Sequence, residues 1–82
     1  MQSHEQVFTE LRGLLLDRGI LSTQEVSMDT ELKQLLIDSV EIALIFSHFE
    51  QKYDAMFENQ EILGGKYKNL GEIVSTISQK IN

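Results

Sequence analysis

Eighty-two residues suffice for one small domain with a single core, and leave little room for a second core or a walled enzyme pocket. Thirteen acidic residues against seven basic give a net charge of −6. That balance disfavours nucleic acid and anionic membrane surfaces, which need Lys and Arg, and suits steering toward basic patches on other proteins. Cysteine and proline are both absent while 41% of residues are hydrophobic, so disulfides and Cys-based zinc sites are excluded and a compact all-helical fold is expected.

The segment Met1-Gln2-Ser3-His4-Glu5 lacks the basic and apolar regions of a signal peptide. No apolar run reaches the length of a membrane span. The expected location is the cytoplasm, and the expected state is a monomer.

The first helix is predicted to begin near Ser3, where Ser3-x-x-Gln6 reads as a capping box. Val7, Phe8, Leu11, Leu14 and Leu15 follow at helical spacing and share one face. Gly13 weakens such a helix by about 1 kcal/mol relative to alanine, and close packing against a neighbour would account for it. Arg18 suits the negative helix end and Gly19 is the expected stop. His4 falls in a solvated first turn.

Residues 20–37 form a long connection. Ser22-Thr23-Gln24-Glu25 reads as a short turn and Asp29-Thr30-Glu31 as another. Ile20, Leu21, Val26, Met28, Leu32, Leu35 and Ile37 recur without one period, so the segment is expected to lie across the helices and cover the core. Its carboxylates, Glu25, Asp29 and Glu31, lack the ligand spacing and central glycine of an EF-hand and are assigned to solvated surface.

A second helix is predicted over Ser39–Tyr53. Ile42, Ile45, Phe46, Phe49 and Tyr53 fall in one arc of about 100° at helical periodicity, a core-facing stripe. Val40, Leu44, Ser47 and Gln51 land opposite, and two exposed aliphatic residues so close to the helix start suit a partner surface. His48 projects sideways with no acidic partner evident in the sequence. Glu41 is an acid in the first turn, worth a few tenths of a kcal/mol against the helix dipole. Met56, Phe57, Ile62 and Leu63 supply further apolar contacts. Asn59 is expected to cap a short helix over residues 60–63, ended by Gly64-Gly65, with Lys66 and Lys68 a small solvated basic patch. The last helix starts at the Asn69 cap with Glu72 three residues on, and presents Leu70, Ile73, Val74, Ile77 and Ile81 on one face, with Lys80 at its negative end.

Asp38 and Ser39 stand where the second helix begins, and both are favoured N-cap residues. A helix start also holds unpaired N–H groups and partial positive charge. A phosphate ester on Ser39 would therefore sit at a ready anion site.

Asp29-x-x-Leu32-x-x-Leu35-Leu36-Ile37-Asp38-Ser39-Val40 resembles the attachment motif of acyl and peptidyl (aminoacyl) carrier proteins, D-x-x-[LF]-x-x-L-G-x-D-S-[LMV]. Tyr53 at the aromatic end of the second helix and Asn69-Leu70-Gly71-Glu72-Ile73-Val74 extend the resemblance over nearly the whole chain. The motif glycine is Leu36 here, which hints at a specialised pathway, and Gly64-Gly65 is unusual.

The resemblance implies an all-α, acyl-carrier-protein-like four-helix bundle: three main helices, a short mobile third helix and a long first loop. It also implies a free-standing carrier, not an enzyme. Ser39 would carry 4′-phosphopantetheine taken from coenzyme A by a phosphopantetheinyl transferase, with Asp38 helping to place the transferase's metal. The arm would hold acyl or aminoacyl thioesters for loading enzymes and downstream synthases of polyketide, nonribosomal peptide or fatty-acid type. Intermediates could slip between the second and third helices. Val40, Glu41, Leu44 and Ser47 would meet partner enzymes, Glu41 through their basic residues. The alternative function is an unmodified helical adaptor that docks a partner through the acidic Val40/Leu44 face.

Overall fold

A computed structural model describes residues 3–21, 25–62 and 67–81. Among them the chain forms four α-helices and no strand: α1 (His4–Asp17), α2 (Ser39–Tyr53), α3 (Asn59–Ile62) and α4 (Leu70–Ile81). A 3₁₀ turn over Leu32–Leu35 precedes α2. The only pairing of sheet type among the described residues is one antiparallel bridge between Glu31 and Asn69. The expected turn at residues 22–25 and the expected stop at Gly64-Gly65 lie wholly or mainly outside the described residues, as do Leu63 and Lys66.

The helix ends follow local chemistry. The Ser3 hydroxyl accepts from the Gln6 N–H at 3.1 Å while the Gln6 side chain accepts from the Ser3 N–H at 2.8 Å, completing the capping box. At the other end of α1, Gly19 takes φ 77°. Its N–H donates to the Leu16 carbonyl at 3.1 Å, and that of Ile20 to the Leu15 carbonyl at 2.9 Å. These two bonds are a Schellman motif, and only glycine adopts its turn residue without strain. For α4, the Asn69 side chain accepts from the Glu72 N–H at 2.9 Å, and the Glu72 carboxylate accepts from the Lys68 N–H.

The core is built where the stripes meet. Val7, Leu11 and Leu15 of α1, Ile45, Phe46 and Phe49 of α2, and Leu70, Ile73, Val74 and Ile77 of α4 are buried together. Helix α1 packs chiefly on α4, and α3 packs on α2. Phe57, in the loop after α2, is buried edge-on to Phe46 at 4.8 Å between ring centroids. From the first connection Leu21, Leu32 and Ile37 are buried and Val26, Met28 and Leu35 pack partly against the core, so the loop does lie over the helices.

That loop is stitched to the start of α4. The Leu32 N–H donates to the Lys68 carbonyl at 3.0 Å, the Leu70 N–H to the Thr30 carbonyl at 3.0 Å, and the Gly71 N–H to the Met28 carbonyl at 2.7 Å. A Cβ at residue 71 would stand 3.0 Å from the Met28 carbonyl oxygen and 3.2 Å from its Cβ, so a side chain there would crowd the strap.

Three local expectations are corrected. Gly13 is not closely packed: a Cβ there would have nothing within 4 Å. Helix α3 begins at Asn59, not after it, and is entered from Glu58, whose carbonyl accepts from the Glu61 N–H at 2.9 Å. Met56 supplies no core contact and is largely exposed.

Candidate functional site

The start of α2 gathers the chemistry read from the sequence. Asp38 is extended and caps the helix, its Oδ1 accepting from the Glu41 N–H at 3.0 Å. Ser39 is the first helical residue and is exposed, and among the described residues no hydrogen bond engages its hydroxyl. Its N–H and that of Val40 lie in the first turn, where a helix offers no internal acceptor. The hydroxyl thus stands free in solvent beside two unpaired donors at the positive helix end.

The preceding loop sets that geometry. After the 3₁₀ turn, Leu36 adopts φ 56° and ψ 35°, the left-handed region. Its N–H donates to the Lys33 carbonyl at 3.4 Å, and the Ile37 N–H reaches back to the Leu32 carbonyl at 3.2 Å. This reversal buries Ile37 and turns Asp38-Ser39 outward. For a residue with a Cβ the conformation costs roughly 1–2 kcal/mol. No sequence rule would have put a leucine there.

The side chains assigned to recognition divide. Leu36 is 87% exposed, Val40 64% and Leu44 41%, so an aliphatic surface flanks the serine on both sides in sequence. Ser47, two turns on from Val40 along the same face of α2, is half-buried. Glu41 is half-buried and engaged: the Arg18 Nε donates to its Oε2 at 2.9 Å and Nη2 to its Oε1 at 3.3 Å. This hydrogen bond, helped by the Glu41 charge and opposed by burial, raises the Arg18 pKa. The pair joins the end of α1 to the first turn of α2 and neutralises one of the two acids beside Ser39.

A second polar cluster lies farther along α2. His48, for which the sequence offered no acidic partner, has one: its Nε2 is 3.0 Å from Glu10 Oε2. The Tyr53 hydroxyl donates to Glu10 Oε1 at 2.5 Å, and Lys52 Nζ lies 3.1 Å from Glu10 Oε2. Burial pushes the Glu10 carboxyl up, but the hydrogen bonds from Tyr53, Lys52 and His48 outweigh it and hold its pKa below the ordinary value. The same bond to Glu10, then burial and the carboxylate charge, push Tyr53 up to about 12. These residues line a shallow cleft of about 280 Å³ with Gly13, Leu14 and Asp17. Each polar group in the Glu10 cluster is already partnered, and the cluster serves to clamp α1 to α2.

Comparison of the chain with models of known protein families, with curated proteins and with solved structures finds no match.

Proposed function

We propose that this chain is a carrier domain of the acyl or peptidyl carrier type, with Ser39 as the attachment point for 4′-phosphopantetheine. The observation that carries the reading is the backbone at Leu36. Where the family motif has a glycine, this loop takes the left-handed conformation that glycine favours. Such a turn would serve the motif although its residue has changed, and it presents an exposed serine at a helix start. A bundle of three longer helices and one short one, with a long strap between the first two, supports the reading at the level of architecture.

In the modification step the Ser39 oxygen attacks the phosphorus of coenzyme A nearer the pantetheine. A new Ser39 O–P bond forms and the bond from that phosphorus to the bridging oxygen breaks. Adenosine 3′,5′-bisphosphate leaves and the serine proton passes to a base on the transferase. The phosphopantetheine supplies the thiol that bears the cargo. The chain's own part is to hold the hydroxyl in solvent, to place Asp38 beside it, and to offer the first-turn N–H groups to the phosphodiester. Tethering then raises the local concentration of cargo at successive enzymes.

The test is a mass measurement. With coenzyme A, magnesium and a phosphopantetheinyl transferase, the wild-type chain gains one phosphopantetheine. Ser39→Ala keeps its helical spectrum, because Asp38 still caps α2, and gains nothing. The second reading, an unmodified adaptor, is favoured by the exposed Leu36, Val40 and Leu44. It requires that the wild type stay unmodified.

A further inference from the structure

Leu36 has two properties that the fold alone does not explain. Its backbone is in the left-handed region, and its side chain is the most exposed of the large hydrophobic residues described. No packing offsets the strain, and glycine would remove it. Strained residues persist where a function holds them.

We propose that Leu36 is a specificity-determining contact for the enzyme that modifies Ser39, its side chain entering an apolar pocket with a basic rim on that enzyme. The inference rests on the carrier reading of Ser39. Three residues of chain span at most about 11 Å, so an enzyme whose active site reaches the Ser39 oxygen also covers Leu36. The rim follows from charge. The exposed Asp38 lies between Leu36 and Val40 in sequence, and the chain as a whole carries −6. Lys or Arg around the pocket complements that surface and steers the approach. A second copy of this chain does not fit the role, because it would bring the same acids against Asp38. Leu36 extends recognition to the stretch of chain that precedes the serine, and it distinguishes this chain from carriers with glycine at that position.

The experiment compares wild type, Leu36→Gly and Leu36→Met as full-length apo chains. Three quantities are read: Tm, kcat/KM for phosphopantetheine transfer, and Kd for the transferase without coenzyme A. Leu36→Gly is expected to melt a few degrees higher, since the left-handed turn is then unstrained, yet to be modified about tenfold more slowly, with a matching rise in Kd. Leu36→Met keeps a long apolar side chain and stays within about twofold of wild type. Equal kcat/KM and Kd for wild type and Leu36→Gly would overturn the proposal. So would a lower Tm for Leu36→Gly, which would show that the fold itself needs the leucine. If the wild type gains no mass at Ser39, the carrier reading falls and this inference falls with it. If the wild type is modified and Leu36→Gly matches it, this inference falls alone.

Discussion

Arg18 holds Glu41 through two hydrogen bonds of 2.9 and 3.3 Å, although 23 residues separate them in the chain. The acid nearest Ser39 on the outward side of α2 therefore already has a cation. A partner's basic residue must compete with Arg18 for it.

That competition sets a charge prediction. Glu41→Lys places two cations together and removes an attractive charge, so association with a basic partner slows and its salt dependence flattens. Arg18→Ala acts in the opposite sense, freeing Glu41 and speeding association at low salt. Val40→Ala weakens binding by loss of apolar contact and leaves the salt slope unchanged. The measurement is transferase or loading-enzyme kcat/KM at low and physiological ionic strength. Wild-type behaviour in all three variants at both salts would place recognition elsewhere.

The two faces of α2 differ in what they hold. Phe49 is fully buried and its ring stacks on Tyr53 at 6.0 Å. Phe49→Ala is expected to cost about 3–5 kcal/mol, enough to unfold much of so small a domain. Leu44→Ala, on the open face, is expected to cost well under about 1 kcal/mol. Urea denaturation of both variants reads the difference, and similar losses would show the face assignment to be wrong.

Two glycines in helices should respond in opposite directions. Gly13 has open space around it, so Gly13→Ala gains helix propensity and stabilises by roughly 0.5–1 kcal/mol. Gly71→Ala meets the Met28 carbonyl oxygen at 3.0 Å and pushes the strap off α4, so its Tm falls. Thermal melts of the pair decide the matter.

Stability should also decline in alkali. Tyr53 is pushed from its ordinary value of 10.0 up to about 12, first by its hydrogen bond to Glu10. Between those values the unfolded chain has lost a proton that the native chain keeps, so stability falls as pH rises through the window. Tyr53→Phe removes that slope. Glu10 acts at the acid end: its lowered pKa contributes stability above the ordinary value of 4.5, lost as pH falls through the folded value. Denaturation midpoints across pH for wild type and Tyr53→Phe test the alkaline arm.

What could be read from the sequence was what local physics determines. The bounds of α2 follow from Asp38 as cap and from a 3.6-residue stripe ending at Tyr53, and Ser3 with Gln6 signals the start of α1. The 3₁₀ turn over Leu32–Leu35 was missed because four residues carry no measurable period. Leu36 in a left-handed turn runs against its own propensity, so only the fold reveals it. Glu10 with His48 and Tyr53, 38 and 43 residues apart, meet only after α1 and α2 have docked. The place of Ser39 at a helix start, open to solvent, was legible from Asp38 and the stripe that follows. The Arg18 contact that occupies its acidic neighbour was not.

The pairing of the first connection with residues 68–71 gives the chain an order of assembly. Thr30 and Met28 offer carbonyls, and Leu32 an N–H, to partners about forty positions downstream. During synthesis α1, the strap and α2 emerge before those partners exist. The strap that leads toward Ser39 is therefore fixed only once residues 68–71 are present, whereas the turn at Leu36 closes locally on the Lys33 and Leu32 carbonyls.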